Sequence, residues 1–416
     1  MNSYDVIIAG AGASGLAAGI FAARGGASIL ILEKNDRPAR KLSATGNGRC
    51  NFTNQRMGAQ YYRGTDPSFA GEVLSGFGVS ETISFFQELG ILAALEDGYA
   101  YPASFQAQSV VTALLSEASR LHVTLRTDTE ITRIQRTDTG FSIEAGSDRF
   151  RSSCLILSCG SPAGAHASDS GLNLASSLGL SFRPFRPVLT GLTAQTANQT
   201  RFFPGAAGVR REGLIAAAGR QEAGEIQFTS YGISGIPVFQ ISSFLTDALE
   251  KQKEVPAVLD LCPFLSRDAL TEEIHAIQRQ NPAKSTEEAL CGIINRKLAC
   301  MLLKDVGIDP EAQLSVRDIP KMVSQIKQFR IEITGSNPMS QAQAAGGGIL
   351  TSEICPETME ARHCPGLYVT GELLDIDGTC GGYNLQFAWS TGILAGRAAA
   401  KQSRKRSGTH DRKAEL

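Results

Sequence analysis

The sequence predicts an α/β protein in which a parallel-sheet unit is assembled from both ends of the chain around a β-rich middle that carries a helical insertion. Three observations predict it. Near the N-terminus, YDVIIA (4–9) and SILILEK (28–34) are continuous apolar runs separated by a glycine turn and a small-residue helical stretch, the pattern of parallel strands buried on both faces. Glycine-rich strand–turn–helix chemistry returns at the far end, in GLYVTGELLDIDGTCGGYNLQFAWSTGILAG (366–396). Between these ends the composition changes after Pro184, to short runs with frequent Gly and Pro. It changes again at 266–306, which is polar and nearly glycine-free.

The elements follow in order. After the βαβ start comes an unusual loop, ARKLSATGNGRCNFTN (39–54), with almost nothing to place in a core. Ser68 to Leu89 reads as one or two helices broken at Gly76–Gly78, and Ser109 to Leu121 as a helix with Val110, Leu114, Leu115 and Ala118 on one face. Residues 123–160 read as successive strands with turns at Asp138–Gly140 and Ala145–Asp148. From FRPVLTGLTA to IPVFQISSFL the runs are β-like. SRDALTEE and STEEAL then carry helix-start signals, with carboxylates in the first turn. FRIEITG resumes β character near Phe329. A strand at Leu367–Thr370 and a helix from about Gly382 close the chain.

Composition bounds the function. The 416 residues are 42 % hydrophobic and 19 % charged, enough for more than one domain with a sizeable core. Forty basic against forty-one acidic residues give a formal charge of −1, so no whole-molecule argument points to nucleic acid, and none is expected as a partner. The final KQSRKRSGTHDRKAEL is locally basic, and residues 403–416 are expected as a solvated, disordered tail. The start lacks a basic leader with a cleavage site, and no uncharged apolar run approaches the ~20 residues of a membrane span. The expectation is a cytoplasmic chain that does not enter the membrane. Oligomeric state is open. The nine cysteines are scattered, odd in number and without a C-x-x-C pair, and the histidines (His122, His166, His275, His363, His410) are isolated. A disulfide framework or metal site is not expected.

Gly10-x-Gly12-x-x-Gly15 sits between the first strand and helix. Gly10 permits the tight turn, Gly12 admits a pyrophosphate close to the backbone, and Gly15 lets helix and sheet approach. With Ala13 and Ser14 it opens a helix N-terminus that offers free N–H groups to phosphates. Glu33 follows Gly15 by eighteen residues at the end of the second strand, where a carboxylate accepts from a ribose, and Lys34 follows it. A lone G-x-G-x-x-G is weak; here strand, helix, strand and acid are all in place. A plain glycine turn would leave Glu33 without a purpose. Glu33 also argues against a 2′-phosphate here. An NAD dehydrogenase would continue the βα alternation, whereas a ligand spanning the whole domain, such as FAD, explains both glycine-rich ends.

The loop at 39–54 suits an anionic, planar group. Arg40, Lys41, Asn47, Gly48, Arg49, Cys50 and Asn51 supply cations, amides and glycine backbone for phosphates and for the polar edge of a flavin. At the other end, Glu372 or Asp375 can take ribityl hydroxyls, and Gly381 to Gln386 open a helix toward the flavin O2. An ordinary strand–turn–helix closing the sheet is the plain alternative; GE, DxDG and GGYN together argue against it. Cys50 reads as a structural thiol rather than a redox group or covalent flavin anchor, having no neighbouring Cys.

GAGASGLAA, RKLSATGNGRCNFTN, GEIQFTSYGISG (224–235) and GELLDIDGTCGGYNLQFAWSTG (371–392) resemble the HI0933-like, or BaiN-like, flavoproteins, a group also called the aminoacetone oxidase family of FAD-binding enzymes. The likeness runs along essentially the whole chain. It implies an α/β fold with a Rossmann-like FAD-binding domain from both ends (1–188 and 342–402), a central β-barrel-like domain (189–265 and 326–341) and a helical insertion (266–325). It implies FAD-facing positions at Gly10 to Gly15, Glu33, Lys41, Gly48, Arg49, Asn51, Gly371, Glu372, Asp375, Asn384 and Leu385, with Gly382 beside them. Ile131 falls on the strand that meets adenine. Cys159-Gly160 stands where many relatives have Thr-Gly. At DGYAYPASFQAQSV (97–110), Tyr99 stands where relatives often carry a basic residue, which points to a different substrate.

The activity expected is an FAD-dependent oxidoreductase that takes hydride from NADH or NADPH as co-substrate and reduces a small apolar unsaturated carbonyl compound. Tyr99, Tyr101, Tyr231, Tyr383 and Trp389 form an aromatic set near the presumed cleft, and any of the tyrosines is a candidate proton donor, although packing is the commoner role of each alone. With no second G-x-G-x-x-G, the nicotinamide would enter the substrate cleft itself. The alternatives are a flavin oxidase passing electrons from a small amine to O2, and a non-catalytic flavin-bound scaffold or sensor.

Overall fold

The computed structural model describes residues 2–164, 170–196 and 203–414, with the backbone alone from 406 onward. His166 lies outside these residues, as does the side chain of His410. The chain divides into two compact units, Met1–Arg186 with Ala344–Leu416, and Pro187–Gln343.

The first unit is built on a seven-stranded sheet. Its order is Thr124–Arg126, Ile29–Leu32, Asn2–Ala9, Asp148–Leu157, Gly140–Ala145 and Ile131–Thr137, with Leu367–Val369 on the second edge of Asp148–Leu157. The pairs from Thr124–Arg126 to Asp148–Leu157 are parallel, as is Leu367–Val369. The two hairpin strands are antiparallel. Asp148–Leu157 therefore joins both chain ends to one sheet. Its inner residues, Cys154 to Leu157, are fully buried beside Val6, Ile7 and Ile8, as continuous apolar runs require.

The C-terminal helix, Tyr383–Ala414, lies along the first helix, Ala13–Arg24. Glycines allow the approach: a Cβ at Gly392 or at Gly396 would lie 2.3 Å from the carbonyl oxygen of Ser14 or Ala18. Where the sequence suggests a disordered tail from 403, this helix continues to Ala414; the stretch holds no Pro, and its single glycine, Gly408, does not break it.

In the second unit, six antiparallel strands close a barrel in the order Leu192–Thr196, Gly232–Ser234, Arg220–Phe228, Arg210–Ala217, Val255–Asp260, Phe329–Ser336. IPVFQISSFL, expected as β-like, is instead the start of a helix, Ile236–Leu249. Val238, Ile241, Ser242 and Leu245 are its buried face, a spacing of three, four and seven that outweighs the β-branched composition. The insertion has four helices, Arg267–Gln280, Thr286–Leu290, Arg296–Asp305 and Ile319–Lys327. Ser266 caps the first through Ala269 N at 3.1 Å, and Ser285 with Glu288 forms a capping box at the second. Leu270, Ile274, Leu298, Leu302 and Met322 share one core with the barrel residues Leu259, Phe329 and Ile331. Among the described residues no helix is long and apolar enough to cross a membrane, and no cluster of three metal-ligating side chains occurs. The nine cysteines are free thiols.

Candidate cofactor site

The dinucleotide motif is formed as its spacing requires. Gly10 has φ +100°, and a Cβ there would lie 2.5 Å from Ser158 O. A Cβ at Gly15 would lie 2.0 Å from Gly10 O, so only hydrogen lets the helix sit this low on the sheet. Gly12 is the opposite case: a side chain there would meet nothing within 4 Å. Open space thus stands over a helix N-terminus whose first turn has no capping side chain and no acid, where N–H groups favour an anion.

Glu33 is buried and held. Its Oε2 accepts from Ala11 N at 2.8 Å, and its Oε1 accepts from Asn35 N at 2.9 Å and Asn35 Nδ2 at 2.6 Å. A carboxylate has about four acceptor positions, so Glu33 both stiffens the glycine turn and retains capacity for hydroxyl donors. Lys34 is half-buried beside it. Ile131 opens its strand opposite Ala145 and is buried. Cys159 follows Asp148–Leu157, its Sγ 3.6 Å from Ala9 O, and desolvation pushes its thiol up to about 12. Gly160 faces open space.

The 39–54 segment folds as a short helix, Arg40–Ala44, a tight turn, Thr45–Gly48, and a strand, Thr53–Asn54. Lys41 Nζ meets Glu372 Oε2 at 2.5 Å, while Glu372 Oε1 accepts from Ala345 N at 3.0 Å, so the segment is pinned to the C-terminal end of the chain. Cys50 is buried, and desolvation raises its thiol to about 11. Arg49 lies over an aromatic pair. Its guanidinium stacks on Tyr101 and Phe105, 4.9 and 4.5 Å from their ring centroids, and reaches Glu96 at 3.3 Å.

Of the C-terminal positions, Trp389 departs from the sequence reading. Asn384 turns its side chain back: Oδ1 accepts from Gly378 N at 2.8 Å and Nδ2 donates to Gly378 O at 2.9 Å. It shapes the glycine turn. Trp389 is fully buried, its Nε1 donating to Phe52 O at 3.0 Å, and so belongs to the core rather than a cleft. Asp375 is buried, accepting from Thr65 N at 3.1 Å and from the Thr65 hydroxyl, with Arg183 at 3.9 Å. Leu385 is half-buried against the core.

Sequence reasoning missed the group that holds the turn. Gln386, fully buried, accepts from Thr53 Oγ1 at 2.5 Å and donates to Thr82 Oγ1 at 2.8 Å and Ser390 Oγ at 2.9 Å. With Trp389 one turn on, it grips Phe52–Thr53. The available signal was a glutamine three residues before a tryptophan in the first turns of the helix. Asn54 adds a bond from Nδ2 to Gly381 O at 2.9 Å. Beside this junction lies Asn51 Oδ1, a buried acceptor with no hydrogen-bond partner among the described residues. A Cβ at Gly382 would come 2.9 Å from it. A side chain at Gly48 would meet nothing within 4 Å.

These features fit FAD on the structure's own terms: open space over Gly12 for phosphates, and an orphaned acceptor between two glycine turns for a ligand donor. Together they are the features that a flavoprotein site built from both chain ends would require. The chain matches the HI0933-like protein Rossmann domain over residues 4–398 and belongs to that family. It is 41 % identical to the 3-dehydro-bile acid delta(4,6)-reductase of Clostridium scindens over 97 % of this chain and 100 % of the relative. It is 30 % identical to the ribosomal RNA dihydrouridine synthase of Escherichia coli, over 94 % and 96 %. The Haemophilus influenzae protein of the same name is 27 % identical over 97 % and 100 %.

Proposed function

We propose that this enzyme takes hydride from NADH or NADPH and adds it across the C=C bond of a conjugated unsaturated carbonyl compound, with a small apolar steroid ketone as substrate. The observation that carries this reading is the 41 % identity, over the full length of the relative, to a 3-dehydro-bile acid delta(4,6)-reductase. That name describes a ketone conjugated to ring double bonds. The flavin supplies two-electron hydride chemistry when bound. Gly12 and its helix would hold the pyrophosphate, and Glu33 the ribose. Asn51 and the Gly381–Gly382 turn would hold the polar ring edge, and Glu372 or Asp375 the ribityl chain.

A second reading comes from the two relatives named as ribosomal RNA dihydrouridine synthases. The uracil 5,6 double bond is also conjugated to a carbonyl, so the reaction class is the same and only the substrate differs. The lower identity and the balanced charge place it second, and the expectation of no nucleic-acid partner stands or falls with it.

Anaerobic stopped-flow spectroscopy tests the proposal. NADH or NADPH should bleach the flavin, and a 3-oxo-4-ene bile acid should restore its colour. Reoxidation by uridine-containing ribosomal RNA but not by the steroid would give the substrate to the second reading. Bleaching by small amines alone, with peroxide formed from O2, would replace both with an oxidase.

A further inference from the structure

We propose that Tyr99 is the acid that protonates the substrate α-carbon as hydride reaches the β-carbon. This rests on the reductase reading above and names the residue that completes it.

The four tyrosines considered from sequence separate on their surroundings. Tyr231 belongs to the barrel unit, where its hydroxyl accepts from Asn337 Nδ2 at 2.8 Å. The ring of Tyr101 lies under Arg49. Tyr383 donates its hydroxyl to Arg56 O at 3.3 Å, and desolvation raises it to about 12. The neighbouring Tyr62 is buried and donates to Tyr383 O at 2.9 Å. Tyr99 and Tyr101 are both half-buried with a hydroxyl that takes no hydrogen-bond partner among the described residues, and of the two it is Tyr99 whose ring lies on the glycine turn.

Its position is fixed with respect to the glycine turn. Tyr99 starts the strand Tyr99–Pro102 and pairs with Asn54, and Asn54 Nδ2 holds Gly381 O at 2.9 Å. The ring covers Gly381: a Cβ there would lie 2.5 Å from Tyr99 Cε1. Gly381 has φ +112°, so both backbone and ring exclude other residues. A phenol is thereby locked onto the turn that opens the C-terminal helix, beside Asn51 and Gly382. Tyr61 also has a hydroxyl free of hydrogen-bond partners among the described residues, but its ring packs on Tyr383, 4.8 Å between centroids.

The step balances as follows. The reduced nicotinamide would supply the electron pair, and FAD, when bound, would supply the hydride chemistry. The π bond breaks, one C–H bond forms at the β-carbon from hydride, and a second forms at the α-carbon from the Tyr99 proton. The phenolate left behind recovers its proton from solvent, on its exposed side.

The test uses the full chain loaded with FAD, as Tyr99→Phe and Tyr61→Phe. FAD retention and binding of a 3-oxo-4-ene bile acid to the oxidised protein, read from the flavin spectrum, should stay within about twofold in both. Bleaching by the nicotinamide should also be unchanged. Reoxidation by the enone should fall about 10²-fold in Tyr99→Phe only, the usual contribution of a general acid, with loss of single-face deuterium incorporation at the α-carbon in D2O. Reoxidation of Tyr99→Phe within threefold of the unaltered protein overturns the assignment, as does an equal loss in Tyr61→Phe. If the unaltered protein, once bleached, is not reoxidised by the enone, the reductase reading fails, and this role fails with it.

Discussion

Gly12 and Gly15 stand three residues apart and serve opposite purposes. Gly15 leaves out an atom the protein has no room for, and Gly12 leaves open a space that the proposed FAD phosphates would take. Gly15→Ala must displace Gly10 O from 2.0 Å, and overpacking of this kind costs roughly 1–3 kcal/mol. It should lower the apoprotein melting temperature. Gly12→Ala has ordinary backbone angles and empty surroundings, so apoprotein stability should hold while FAD affinity falls at least tenfold. Calorimetric melts and an FAD titration of both variants check this; a Gly12→Ala protein that binds FAD normally would place the phosphates elsewhere.

At the scale of elements, the junction of the 39–54 segment with the C-terminal helix depends on one amide. Gln386 bonds groups from the Thr53–Asn54 strand, the Val79–Glu88 helix and its own helix. Gln386→Leu would leave the Thr53 and Thr82 hydroxyls buried without this partner, at about 1–3 kcal/mol each. It should also loosen Asn51 and so weaken FAD binding. Measured by denaturant unfolding and FAD titration, both losses should appear together. A variant that loses stability yet binds FAD as tightly as before would show the grip to be structural alone.

At the scale of the whole molecule, the helical insertion is a full part of the barrel unit. Its inner faces and the barrel strands form a single core. Excising residues 266–327 would expose Leu259, Phe329 and Ile331 along with the loss of Leu270, Leu298 and Met322. The shortened chain should be insoluble or molten, with ANS binding and no cooperative melt. A soluble, cooperatively folding, yellow protein would show that the insertion is a separable appendage.

Much of this was legible in the chain itself. Continuous apolar runs fixed the parallel strands, because burial on both faces leaves no polar alternation. Glycine spacing and Glu33 marked the dinucleotide turn, and Ser266 and Ser285 marked helix starts, because such signals act within a few residues. The helix at Ile236–Leu249 was misread, because its composition competes with its period. The partners that long-range contact chooses were not legible. Arg49 goes to Tyr101 and Phe105, Trp389 to the core, and Gln386 to three elements at once. Local pattern determined which elements form and where the glycine turns fall; only the folded chain decided which side chains those turns leave open, because a hydrogen bond between residues hundreds of positions apart leaves no periodicity in sequence.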